Sequence, residues 1–231
     1  ARGIADGYVY GTHGAVFAPL FGARRSFDAF VTTTYGGVHP AIDRLYRNLG
    51  TGIFEDATSS IVPAQTEDHD GRGVTVGDFD RDGDLDIFQA AGGGGAIGRS
   101  PLLRNDGQGR FEDALEAAGL SALASAHIME AAFADIDNDG DLDLLTGVPL
   151  FVYLNNGDGT FVDGTAASGL VTQPSVGLAV ADIDRDGFVE VVASNRIFRN
   201  DGNGNHWLQV ELLGNRSNRC GINGRVTAMS G

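Results

Sequence analysis

The stretch GDFDRDGDLDIF, residues 77–88, sets five aspartates at every second position from Asp78 to Asp86. Two unit charges 4 Å apart repel by roughly 1 kcal/mol in bulk water, and by more near a protein surface. Such crowding is worthwhile when the acids hold a cation. The pattern is Asp-x-Asp-x-Asp-Gly-x-x-Asp/Glu. Carboxylates at positions 1, 3, 5 and 9, with the main-chain carbonyl of position 7, offer about six or seven hard oxygens, and glycine at position 6 permits the sharp turn between them.

The motif returns as ADIDNDGDLDLL (134–145) and ADIDRDGFVEVV (181–192). The expected ligand sets are Asp78, Asp80, Asp82, Asp84 (carbonyl) and Asp86; then Asp135, Asp137, Asp139, Asp141 (carbonyl) and Asp143. The third is Asp182, Asp184, Asp186, Phe188 (carbonyl) and Glu190. Phe188 stands where its siblings have aspartate, which favours a main-chain role for position 7. An EF-hand needs Glu at position 12, where this chain has Gln89, Thr146 and Ala193, and it is excluded. An all-oxygen cage leaves few places for the waters that magnesium retains, so about three Ca²⁺ ions per chain are expected.

A second motif follows each loop: RNDGQGRFED (104–113), LNNGDGTFVDG (154–164) and RNDGNGNHW (199–207). It also occurs earlier, as RNLGTGIFED (47–56). Its asparagines, 48, 105, 155 and 200, mark four repeats spaced 57, 50 and 45 residues apart. Sliding the pattern back from Asn48 aligns Asp28 with Asp86. It also places Arg24 and Arg25 of LFGARRSFD (20–28) where aspartates would stand, so the first repeat is expected to lack its metal loop. Within a repeat, GVTVGDF and LDIFQAA flank the acidic loop as Val-, Ile- and Phe-rich strands. PLLRN and RFEDA read as the third and fourth, joined by an Asn-x-Gly-x-Gly turn suited to positive φ. Four-stranded meanders at this spacing predict an all-β protein, a β-propeller of about four blades with a short C-terminal β segment that begins with the alternating WLQVELLG.

Composition agrees. The chain has 231 residues, 42% of them hydrophobic, with 35 glycines and 31 acids against 16 cations, all arginine; net charge is −15. The three loops hold five, five and four acids, leaving 17 against the 16 arginines. Nearly all the net charge therefore belongs to the proposed metal loops. An acidic chain of this kind repels nucleic acid and anionic membranes, and no apolar run approaches the ~18 residues of a membrane span. The single cysteine, Cys220, excludes a disulfide framework.

No nucleophile motif, phosphate loop or His-rich pattern is present; GGGG (92–95) lacks the lysine and helix of a phosphate loop. A non-enzymatic protein is expected. In an up-and-down blade the acidic loop and the Asn-Gly hairpin share one edge. His69 and His127 precede their acidic loops on the opposite edge, as do TEDHDGRG (66–73) and the loop 92–100. Varied loops on a rigid scaffold are where ligands bind, so a protein or glycan partner is expected on that face. NRS (215–217) is a candidate glycosylation sequon at Asn215.

The acidic loops with their trailing Asn-x-Gly-x-Gly-x-Phe resemble FG-GAP/VCBS repeats, known from integrin-type propellers and secreted bacterial proteins. NHWLQVELLGNRSNRCGINGRV (205–226) is similar to the start of an ASPIC/UnbV domain, as in cartilage acidic protein-like chains. The resemblance divides the chain into propeller repeats, 1–205, and the beginning of an ASPIC/UnbV-like segment, 206–231. It implies more repeats than four, hence a piece of a longer chain with missing blades, or self-assembly to complete the ring. Cys220 stands where an acidic residue is usual in that segment. The implied function is a secreted or cell-surface calcium-binding module for adhesion or scaffolding, with calcium structural. The alternatives are a lectin-like propeller and an accessory module of a larger enzyme.

Overall fold

A computed structural model describes residues 12–22, 27–33, 42–50, 52–62, 70–92, 99–170, 177–208 and 210, and among these described residues sixteen β-strands make up most of the regular structure. The first sheet joins β1 (Thr12–Ala18), β2 (Asp28–Thr33), β3 (Arg44–Asn48) and β4 (Phe54–Asp56) as an antiparallel meander. The second meander is β6 (Gly71–Gly77), β7 (Asp86–Ala91), β8 (Leu102–Asn105) and β9 (Phe111–Asp113). The short β5 (Ile61–Val62), arriving from the first sheet, lies parallel to β9 on the outer edge. The third is β10 (Glu130–Ala134), β11 (Asp143–Gly147), β12 (Phe151–Asn155) and β13 (Phe161–Asp163); one helical turn, α1 (Thr165–Ser168), follows it. The fourth is β14 (Leu178–Ala181), β15 (Glu190–Ala193) and β16 (Arg196–Phe198).

Each sheet is a blade, and the first strands β1, β6, β10 and β14 lie side by side in that order. That arrangement is the propeller architecture expected from the repeat. The hydrophobic cores sit between blades rather than within them. Phe30 and Leu45 of the first blade pack with Ile87, Leu103 and Phe111 of the second. Phe88 and Leu102 of the second meet Leu144, Tyr153 and Phe161 of the third, and Leu145 and Val152 of the third meet Val191 and Ala193 of the fourth. The strand period of two explains the alternation: Ile87 looks back to the first blade and Phe88, its neighbour, forward to the third.

The fourth blade departs from the expected four strands: among the described residues it has three. Phe54, Phe111 and Phe161 open the fourth strands of the other blades at the sixth position after the motif asparagine, where blade four has His206. The polar imidazole of His206 is exposed and gives the core no phenyl ring there. Trp207, expected to begin the C-terminal β segment, lies outside any strand, is 46% exposed and lies against Gly187, where a Cβ would come within 2.0 Å of its ring. A cleft of about 440 Å³ remains between blades three and four, lined by Val152, Leu154, Leu170, Val191 and Phe198. Most of the C-terminal segment, with Asn215 and Cys220, lies outside the described residues, as do Arg24, Arg25 and His69.

Candidate metal centres

Each acidic loop joins the first two strands of its blade, so one sheet edge carries all three. Within each, three carboxylates converge: Asp78, Asp80 and Asp86; Asp135, Asp137 and Asp143; Asp182, Asp184 and Glu190. In every group one oxygen per residue lies within 4.8 Å of the others. These are positions 1, 3 and 9 of the expected sets. The loops are pinned from inside. The position 1 carboxylate accepts the N–H of the position 6 glycine in all three, from Gly83 at 3.0 Å, Gly140 at 3.0 Å and Gly187 at 3.1 Å. These glycines have φ of 95°, 93° and 92°, the left-handed turn that the sequence motif anticipates.

Position 5 is placed differently from the expected cage. Asp82, Asp139 and Asp186 turn their Oδ1 onto the N–H of position 7, at 2.9, 2.9 and 3.0 Å, and are not in the converging groups. Position 7 is likewise absent from the converging groups. Its side chain lies on the first glycine of the blade's own hairpin: Asp84 against Gly107, Asp141 against Gly157, Phe188 against Gly202. The same place against the hairpin glycine takes an aromatic residue as well as an acid.

Position 9 has a second task. Asp86 accepts the Asn105 N–H at 2.8 Å and the Phe79 N–H at 3.1 Å; Asp143 accepts those of Asn155 at 2.8 Å and Ile136 at 2.9 Å. Burial pushes Asp86 up to about 8 despite those two N–H groups, and repulsion from Asp80 and Asp82 adds to the rise. Asp143 is pushed to about 7 by burial, against the same kind of N–H bonds and with Asp137 and Asp139 adding repulsion. Burial, with repulsion from neighbouring aspartates, also raises Asp78, Asp80, Asp135 and Asp137.

Two buried oxygens decide whether a cation fits. Asp78 Oδ1 and Glu190 Oε1 have no hydrogen-bond partner, and Glu190 is only 2% exposed. A buried carboxylate oxygen without a donor is unfavourable by about 1–3 kcal/mol or more, and a divalent cation among three such groups would satisfy it. The oxygen-only donor sets fit Ca²⁺.

The repeat has a known counterpart. Residues 27–88, 91–146 and 148–193 match the FG-GAP-like repeat. The chain belongs to the FG-GAP-like repeat family. It is also 29% identical over 197 residues to cartilage acidic protein 1 of Homo sapiens and of Mus musculus, and equally to that of Xenopus tropicalis. Each alignment covers 72% of this chain and 28% of the relative, so the chain spans little more than a quarter of the length of the curated relatives it matches.

None of the three FG-GAP-like matches coincides with a blade. The first runs from just before β2 into β7, and thus spans the seam between the first and second sheets; the second and third span the next two seams. The seam is where the repeat's polar residues act. Asn105, Asn155 and Asn200 each bridge two blades through Nδ2. Asn105 donates to Leu85 and, across the seam, to Leu20; Asn155 to Leu142 and Phe79; Asn200 to Val189 and Ile136. The Asn-x-Gly-x-Gly pattern by itself accounts for these asparagines only as turn formers. Their recurrence in all four repeats, including the one with no expected metal loop, was the signal of a wider role.

The opposite edge of the FG-GAP-like blades carries exposed His127 and a buried polar group. Asp43 accepts the Thr33 N–H at 2.7 Å and a bond from Gln89 Nε2. Beside it, Arg72 pairs with Asp70 at 2.6 Å, donates to the Gly92 carbonyl at 2.7 Å and meets His13 Nδ1 at 2.8 Å. Burial pushes Asp43 up to about 7, against the bonds from Thr33 and Gln89.

Proposed function

We propose that this chain is a calcium-stabilised propeller module of a secreted or cell-surface protein, non-catalytic, that serves adhesion or scaffolding. The observation that carries the calcium reading is the partnerless Glu190 Oε1, buried in a trio of acids that recurs at the same register in two other blades. Calcium would supply two positive charges that offset most of each trio's negative charge and hold the turn between two strands. Asp78, Asp80 and Asp86, with their counterparts in the other loops, would hold it. The extracellular setting rests on the match to cartilage acidic protein 1; among the described residues no helix is long and apolar enough to cross a membrane. The partner, a protein or a glycan, is assigned to the edge opposite the acidic loops, where His127 is exposed.

The test is thermal unfolding in millimolar calcium and in chelator, with bound ions counted in the same sample. Extracellular calcium modules bind with dissociation constants of about 10⁻⁴–10⁻³ M. At tenfold saturation each site contributes about 1.4 kcal/mol, so three contribute about 4 kcal/mol. For a chain of this size that is a fall of about 8–16 °C on chelation. About three ions and such a fall are expected; no ion and no shift would sink the calcium reading.

A further inference from the structure

Position 4 of the acidic loops lies outside the cation cage, yet it adopts a demanding conformation in all three. Arg81, Asn138 and Arg185 have φ of 61°, 54° and 63°, a left-handed backbone that is uncommon for residues other than glycine. In the first two loops the side chain crosses to the next blade. Arg81 Nη2 donates to the Gly140 carbonyl at 2.7 Å, and its Nε pairs with Asp141. Asn138 Nδ2 donates to the Gly187 carbonyl at 2.8 Å. Gly140 and Gly187 are the position 6 residues of the following loops. Position 4 of one loop is thus tied to position 6 of the next, twice, at the same register and by chemically different side chains. The blade-four hairpin adds to the second seam: Asn203 and Asn205 donate to the Asp137 carbonyl at 2.6 and 2.9 Å.

We propose that Arg81 and Asn138 couple the cation sites, so that a calcium ion held in one loop raises the affinity of its neighbour; this rests on the calcium reading above. Position 4 is flanked in the chain by the acids at 3 and 5, and position 6 by residues 5 and 7. Ordering one loop therefore fixes one end of the tie, and ordering the next fixes the other. A bond between two mobile loops costs the ordering of both, whereas a bond to a loop already ordered costs less. The second ion then binds more favourably than the first. Repulsion between ions works against this, and salt near 0.15 M, with a Debye length of about 8 Å, screens it. Arg185 is an internal control, since no acidic loop beyond its own is described.

The experiment is calorimetric titration of the whole chain with calcium chloride at that salt. It compares the parent with an Arg81→Gly/Asn138→Gly double variant and with Arg185→Gly. Glycine adopts positive φ freely, so the turns survive the substitutions. The parent is expected to bind three ions with a Hill coefficient above 1. The double variant should bind as many, with a coefficient near 1 and an overall affinity weaker by about twofold to tenfold, the worth of a hydrogen bond. Arg185→Gly should titrate like the parent. Independent binding in the parent, or an equal loss in Arg185→Gly, overturns the coupling alone. A parent that binds no calcium overturns the calcium reading and the coupling together.

Discussion

The Asn48 N–H donates to Asp28 Oδ1 at 2.8 Å, as the Asn105 N–H does to Asp86 and the Asn155 N–H to Asp143. Asp28 Oδ2 accepts the Phe21 N–H at 3.0 Å, completing the same pair of bonds in the blade with no expected metal loop. Position 9 therefore serves the blade with or without a cation. Asp28→Ala would leave two N–H groups without a buried acceptor and is expected to destabilise the protein by about 2–4 kcal/mol. The loss should be the same in calcium and in chelator, with the ion count unchanged. Urea unfolding under both conditions measures it.

Glu190 separates the two roles. Its Oε2 accepts the Ile183 N–H at 2.7 Å, while Oε1 has no donor. In Glu190→Gln the amide oxygen can keep the first bond, and the charge is lost. Ion counting should fall from about three to about two, with unfolding in chelator little changed. A variant that still retained the third ion would remove Glu190 from the cage.

Position 2 of the loop tests the seam. Phe79 is 3% exposed and packs against Phe133 and Phe161 of the next blade, with ring centroids at 6.5 and 5.9 Å; Ile183, its counterpart in the last loop, is 51% exposed. Phe79→Ala is expected to cost about 3–5 kcal/mol, and Ile183→Ala less than about 0.5 kcal/mol. Denaturant midpoints of the two variants check this directly.

Asp43 sets a pH dependence. Its folded pKa, raised to about 7 from 3.8, means the folded chain holds a proton that the unfolded chain releases. The stability it contributes is complete below about pH 4 and is lost as pH rises through 7. In saturating calcium, where the loop acids are held ionised, stability should therefore decline from pH 5 to pH 8. Asp43→Asn should flatten that decline. Unchanged slopes in the two proteins would show that another group carries the effect.

The sequence by itself determined the repeat, the strands and the ligand candidates, because these are local. Alternating Val, Ile and Phe mark strands by a period of two. Glycine at position 6 marks a turn by its φ, and the acids at positions 1, 3 and 9 meet because the loop between them closes in a few residues. Phe188 marks position 7 as a place where no carboxylate is required. Tertiary structure alone decided what crosses between blades. Asn155 reaching Phe79, Arg81 reaching Gly140 and Phe161 meeting Phe79 join residues 59 to 82 positions apart. No periodicity within a repeat encodes a distance that appears only when two repeats stack. The same reason hid the open fourth blade. The motif at Asn200 is intact, but His206 stands where phenylalanine fills the other seams, and only packing against a neighbour shows what that one exchange removes.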